Sequence, residues 1–347
     1  MLRTIQLEDV GPAPTLGIEF NERLNLLTGD NGVGKTFLLD IAWWALTRTW
    51  AGRPALPHRG GDASPKISYE VDGRTKLLKR TGTYDWNTQS WQISDPGRPP
   101  KTGLVVYIRA EGGLSVWDPA RNYYRDAESI EVNEPDRPTA YNFRTRELWE
   151  GLEYKEKIAC EGLLRDWIRW QDRDSEEFDI LIEVLEELSP PGQEKIRPGE
   201  PTRIDVEDVR DIPTLNLPYG EIPVTHASAG MRRILAIAYS LVWAWTEHRV
   251  ASDMMQREPA EQIVVLFDEV EAHLHPKWQR SIIPALLSAV KVLEDSLDVQ
   301  VISATHSPLV MASIEPEFDE SSDDVFHLEL KQRQVTIDRV PWAKQGD

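Results

Sequence analysis

Apolar and polar positions alternate along this chain with changing periods, and the period separates strands from helices. Residues 2–8 and 16–20 read as strands, and residues 24–28, Leu24-Asn25-Leu26-Leu27-Thr28, form a run short enough for a buried strand. These three strands make a meander, parted by the Gly11-Pro12-Ala13-Pro14 turn and by Asn21-Glu22-Arg23. From Thr36 to Trp44 apolar residues recur at helical spacing, in a helix ending near Trp50, and the Pro- and Gly-rich residues 52–65 are loop. Residues 66–69, 76–80, 91–93 and 104–108 read as short strands of an antiparallel layer. Beyond residue 110 the pattern changes: residues 144–170 and 175–188 have helical spacing, and Ser189-Pro190-Pro191-Gly192 stops the second helix. The spacing therefore predicts a mostly helical insertion over 110–225, between core segments 1–109 and 226–347. Residues 228–249 form a long helix with a near-continuous apolar run through 234–239, which marks burial. Residues 261–268 hold five successive apolar residues, Ile263 to Phe267, as a central strand of a parallel sheet does. An amphipathic helix over 277–293, a core strand over 299–303, a helix from Pro308 and strands over 325–330 and 334–337 complete an α/β pattern.

Between the strand at 24–28 and the first helix lies Gly29-Asp30-Asn31-Gly32-Val33-Gly34-Lys35-Thr36, which fits G-x-x-x-x-G-K-[ST] in the strand, loop, helix context that this phosphate-binding pattern needs. Glycines let the loop curl so that backbone N–H groups meet phosphate oxygens. Lys35 is then placed to reach the β- and γ-phosphates and Thr36 to hold Mg²⁺, with the positive end of the helix turned toward the anion. The antiparallel layer is expected beside this nucleotide site.

Four further elements belong with that loop. The strand Ile263-Val264-Val265-Leu266-Phe267 ends in Asp268-Glu269; Asp268 can reach the metal held by Thr36, and Glu269 can polarise an attacking water. His306 follows the next core strand, where α/β sheets place their ligands, and can donate to a γ-phosphate. Ser228 caps the long helix, and with Gly230 it makes a second anion site at a helix start. Glu271-Ala272-His273-Leu274-His275-Pro276 carries two histidines, but no Cys or further His lies near them in sequence, which speaks against zinc.

Taken in order, these motifs resemble the ATP-binding-cassette class of ATPases. Asp268-Glu269-Val270-Glu271-Ala272-His273-Leu274-His275-Pro276 is similar to the D-E-x-E-x-x-L-H-P form of the soluble branch related to Rad50, RecF and the overcoming-lysogenization-defect nucleases. The resemblance covers residues 1–50 and 225–340 and implies a P-loop NTPase head with a mixed, largely parallel core sheet. It implies Gly29, Asn31, Gly32, Gly34, Lys35 and Thr36 as Walker A, Asp268 and Thr36 as Mg²⁺ ligands, Glu269, His306 and Lys35 as catalytic groups, and Ser228 with Gly230 as the signature. His275 falls at the usual D-loop aspartate. The family further implies a head-to-tail dimer in which each signature serine meets the ATP held by the other head. The signature reads Ser-Ala-Gly rather than Ser-Gly-Gly. Arg109 stands near the expected Q-loop, where no glutamine is found.

Composition narrows the choice within the branch. Thirty-nine basic and 58 acidic residues give a net charge of −19, which opposes a large nucleic-acid footprint but leaves room for a local patch. Residues 109–173 carry 11 basic and 14 acidic residues, so their Arg and Trp content is not a basic stripe; Trp149, Trp167 and Trp170 read as core, with a partner-binding face as the alternative. The single cysteine, Cys160, permits no internal disulfide and points to a reducing cytoplasm. No run approaches 18 apolar residues, the first residues lack the apolar core of a signal peptide, and no membrane association is expected. Residues 37–227 hold neither a long heptad run nor a Cys-x-x-Cys hook, unlike a Rad50 or SMC arm. Only 41 residues follow His306, too few for an added nuclease domain, and the acidic residues 315–324 read as a solvated loop. The chain thus looks like ATPase subunits of Septu-type or retron-associated anti-phage systems. That resemblance implies an ATP-hydrolysing, oligomeric subunit that regulates a separately encoded effector, a nuclease, with a RecF-like DNA-repair ATPase and a non-hydrolysing scaffold as alternatives.

Overall fold

Strands buried on both faces and strands buried on one build the two main sheets among the described residues, beside one three-stranded and two two-stranded sheets. The structure, a computed structural model, describes residues 1–60, 64–73, 75–93, 102–122, 137–192 and 194–342. Residues 61–63 of the expected loop, and 123–136 and 193 of the expected insertion, lie outside the described residues. In chain order, β1 (Leu2–Glu8), β2 (Thr15–Glu19) and β3 (Leu24–Gly29) lead into α1 (Lys35–Thr47). β4 (Lys66–Asp72), β5 (Leu77–Asp85), β6 (Ser90–Ile93), β7 (Leu104–Ile108), β8 (Leu114–Trp117) and β9 (Tyr141–Phe143) follow. Next come α2 (Thr145–Glu150), the hairpin β10 (Leu152–Tyr154) and β11 (Lys157–Cys160), α3 (Leu163–Arg173) and α4 (Glu176–Glu187). Short strands β12 (Arg197–Pro198), β13 (Thr202–Arg203), β14 (Asp211–Ile212), β15 (Thr214–Leu217) and β16 (Gly220–Pro223) precede α5 (Ala229–Met254). The chain then runs β17 (Gln262–Asp268), α6 (Pro276–Gln279), α7 (Ile282–Leu293), β18 (Asp298–Ala304), α8 (Pro308–Ser313), β19 (Asp323–Lys331) and β20 (Gln334–Arg339).

The larger sheet has the order β20-β19-β3-β18-β17-β7-β8-β9. β19, β3, β18, β17 and β7 are mutually parallel, and β20, β8 and β9 extend it antiparallel at the edges. The smaller sheet, β2-β1-β4-β5-β6, is antiparallel throughout. Two expectations are corrected here. β3 does not continue the meander, and β7 does not join the antiparallel layer. Both are apolar on successive residues, so each is buried on both faces in the central sheet, whereas β4 alternates buried and half-buried positions.

Alternation along the central strands then builds two cores. Leu27, Val105, Tyr107, Val264, Leu266, Ile302 and Ala304 face α1 and the smaller sheet. Leu24, Leu26, Val106, Ile263, Val265, Phe267 and Val301 face the helical side, α3, α4, α5 and α7. On the first side Trp44 stacks on Trp50 at 5.5 Å and meets Tyr69 and Trp91 edge-on at 5.9 and 6.3 Å. One polar residue inside the central strands is held by a full set of hydrogen bonds. Gln300 is fully buried, yet its Nε2 donates to Leu2 O (2.9 Å) and Asn21 O (2.8 Å), and its Oε1 accepts from Leu2 N (2.9 Å).

The helical readings differ from the structure at chemically specific points. Residues 144–170 are not one helix but α2, a hairpin and α3. Gly151 and Gly162 sit at φ +113° and +87°, and a Cβ on Gly162 would lie 2.4 Å from Gly151 N, so the chain turns back on itself there. The stretch from residue 110 onward is also less helical than expected, because β8 and β9 belong to the larger sheet. The helix read over 277–293 breaks at Arg280-Ser281: Pro284 has no N–H for the Arg280 carbonyl, and its ring would clash with that carbonyl in a continuous helix. In the acidic stretch 315–324, Asp323 and Asp324 are buried rather than solvated, paired with Arg23 and Arg339. No described helix is long and apolar enough to cross a membrane.

Gly162→Ala is expected to cost roughly 2–4 kcal/mol, from backbone strain plus the clash with Gly151. Gly192→Ala, at φ +70° with no described atom within 4 Å, is expected to cost only about 1 kcal/mol. Equal shifts of the two urea midpoints would refute the hairpin geometry.

Candidate functional site

The C-terminal ends of three adjacent parallel strands, β3, β18 and β17, bring the chemistry together. β3 runs straight into the glycine-rich loop. Gly29, Gly32 and Gly34 hold φ +137°, +80° and +99°, and a Cβ on Gly29 would stand 2.2 Å from Leu328 O on β19. The loop therefore needs glycine where it leaves the sheet. Asn31, between these glycines, is exposed at the loop's rim. Gly34 caps α1 with no side-chain bond, and no acidic residue occupies the first turn, so the N–H groups there have no side-chain acceptor competing for them. The Lys35 ammonium folds under the loop, donating to Gly29 O at 2.7 Å and Asp30 O at 2.8 Å. Burial lowers its pKa, against the pull of Glu269, Glu271 and Asp268.

Across β18, the tip of β17 supplies the carboxylates. Thr36 Oγ1 donates to both oxygens of Asp268, at 2.9 and 3.1 Å. Asp268 is almost fully buried; burial pushes its carboxyl up to about 6, with Glu269 and Glu111 adding to the effect and the Thr36 bond opposing it. Hydroxyl and carboxylate together form a hard oxygen donor set that suits an oxygen-seeking divalent cation. Glu269 follows with φ +46°, a left-handed conformation that turns the chain sharply at the strand's end. His306 leaves the end of β18 with a half-exposed ring whose Nδ1 lies 3.0 Å from Glu271 Oε1.

Ser228 stands at the start of α5 with its side chain exposed, its Oγ accepting from Met231 N at 3.2 Å. Gly230 allows close approach: a Cβ there would sit 2.8 Å from His273 O, so the start of α5 rests on the turn that follows Asp268-Glu269. Arg109 lies level with the end of β17, but its guanidinium donates to Ala51 O (2.7 Å) and Phe143 O (2.8 Å), binding loops together. His275 caps α6 through Lys277 N, and no metal-holding cluster of three or more His, Cys, Asp or Glu occurs among the described residues.

Three groups at this site were not singled out from the sequence. Asp40 lies one helical turn after Thr36 and accepts from Tyr107 OH at 3.2 Å; burial pushes its carboxyl up to about 6 and raises the Tyr107 phenol. The spacing of four from Thr36 in an otherwise apolar helix was the available signal. Arg233, five residues after Ser228, donates to Arg109 O at 2.9 Å and stands 5.5 Å from the Phe267 ring, with burial lowering its pKa to about 10. Its place between α5, β7 and β17 has no trace in local sequence.

The chain is similar in sequence to several known proteins. The chain is 21% identical to the Septu protein PtuA of Bacillus thuringiensis over 331 residues, 89% of this chain and 72% of that protein. It is 44% identical to the retron Vc95 probable ATPase of Vibrio cholerae over 55 residues, 16% of this chain and 9% of that protein. The SMC head domain from Thermotoga maritima aligns with 14% identity and a TM-score of 0.47, over 98% of this chain and 99% of that one. A family model described as an AAA domain, putative AbiEii toxin, type IV TA system, matches residues 89–312, which include Ser228, Asp268, Glu269 and His306. With well over half of its 347 residues matched, this P-loop ATPase head of the ABC type belongs to that AAA domain family.

Proposed function

We propose that the protein binds and hydrolyses ATP with Mg²⁺ and, in a dimer built around that nucleotide, controls a separately encoded effector of anti-phage defence. One observation carries the reading: Lys35 and Thr36, His306, and Asp268 with Glu269 emerge from the ends of β3, β18 and β17, three neighbours in one sheet. Backbone N–H groups of residues 29–36 and the Lys35 ammonium hold the triphosphate. Thr36 and Asp268 hold Mg²⁺, which supplies charge neutralisation at the β- and γ-phosphates. Lys35 gives up its two carbonyl partners to reach the phosphates, and Glu269 orients the attacking water and accepts its proton. His306 donates to the γ-phosphate. Exposed Ser228, with Gly230 behind it, faces outward to complete the site of a second head.

Similarity to a Septu protein and to a retron ATPase supports the defence setting. We assign a cytoplasmic location and a protein effector, a nuclease, as the partner of the 110–225 region. The charge of −19 disfavours nucleic acid as the main partner.

Lys35→Ala is expected to abolish ATP binding in calorimetry. Glu269→Gln is expected to keep binding, lose turnover and accumulate an ATP-bound dimer in light scattering. Hydrolysis by Glu269→Gln at the native rate would remove Glu269 from the mechanism. Ser228→Arg is expected to bind ATP as a monomer with native affinity and to fail to dimerise; unchanged ATP-driven assembly would remove the trans role of the signature.

A further inference from the structure

Two neighbouring strands end together: β17 and β18 pair in parallel up to Asp268 opposite Ala304. Glu271 lies three residues past one end and His306 two past the other. Glu271 Oε1 accepts from His306 N at 2.7 Å and stands 3.0 Å from His306 Nδ1, so one carboxylate oxygen holds the backbone of His306 and lies within ion-pair distance of its ring. The turn that aims Glu271 inward is well defined: Ala272 N donates to Glu269 O and Leu274 N to Glu271 O, both at 2.9 Å, between left-handed residues Glu269 and His273. The loop after His306 is tied down as well, through Ser307 Oγ to Gln279 Oε1 (2.8 Å) and Gln279 Nε2 to Leu274 O (2.9 Å).

The geometry points to Glu271 as the positioning residue that sets the tautomer and direction of the His306 ring. A carboxylate only accepts, so Nδ1 carries the ring proton that faces it; Nε2 is the nitrogen left for the site, and it donates to the γ-phosphate from the doubly protonated ring. A carboxylate is a costly choice for mere support: Glu271 is 5% exposed, and its Oε2 is buried without a hydrogen-bond partner. Glu271 also raises the pKa of Lys35, which places its charge within reach of the phosphate loop. A carboxylate behind a catalytic imidazole fixes which nitrogen faces the reaction, and here it does so from the turn that carries Glu269.

This inference rests on the ATP-hydrolysis reading, and its test has a readout that does not. Ring ¹⁵N chemical shifts and long-range ¹H–¹⁵N correlations report the tautomer of each histidine. The chain has 7 histidines, and the His306 signal is assigned by its loss in His306→Gln. The expected result is an Nδ1–H signature for His306 in the native protein and in Glu271→Gln, whose amide oxygen still accepts. Glu271→Met, of similar volume without that acceptor, is expected to lose the signature and lower kcat at least about tenfold, with KM for ATP within twofold. An Nδ1–H signature that persists in Glu271→Met, or native kcat in that variant, would overturn the inference. Should Glu271→Met not fold, Glu271→Leu at reduced temperature provides the same comparison. If the native protein itself shows no ATP turnover, the hydrolysis reading falls, and the tautomer still decides whether Glu271 orients the ring.

Discussion

The hydrogen bond from Thr36 to Asp268 joins residues 232 positions apart, and much of the molecule is organised to make it short. It requires β3 and β17 to end at one level with a single strand between them, so the order β3-β18-β17 is a condition of the site. It also requires α1 to start at the sheet edge, which the curled glycine loop achieves. Around this contact one lysine meets Asp268, Glu269 and Glu271, and burial holds two nearby carboxyls, Asp268 and Asp40, well above their ordinary range. Such an excess of poorly solvated negative charge favours a cation between hydroxyl and carboxylate.

The two faces of the sheet divide the labour. On one, α1 packs through Trp44 against Tyr69 and Trp91 of the antiparallel sheet and through Trp43 against Tyr107 of the larger sheet. On the other, α5 is buried among α3, α4 and α7, and its first residues reach the same edge. Arg233 joins the faces at that edge, bonded to Arg109 O beyond β7 and set over Phe267 of β17. Packed, desolvated contacts thus lie between the start of α5 and the carboxylate strand.

Legibility followed the range of the interactions. The glycine loop, the Ser228 cap, the strand bearing Asp268 and the strand before His306 were readable because each depends on neighbours in sequence: glycine φ angles, an N-cap hydroxyl, an unbroken apolar run. The continuous helix expected over 144–170 was not found, since apolar spacing does not report that Gly151 and Gly162 face each other across a hairpin. The membership of β3 and β7 depended on burial of both faces, which a five- or six-residue run signals only weakly.

By itself the sequence determined the kind of chemistry: a phosphate loop, a hydroxyl, paired carboxylates and a histidine, each at the end of a recognisable element. Only the tertiary structure decided which of these touch. Strand order set Thr36 against Asp268, parallel register brought Glu271 under His306, and burial gave Asp268 its electrostatic character. Contacts between strand ends depend on sheet topology and desolvation, and neither is encoded in any local run of residues.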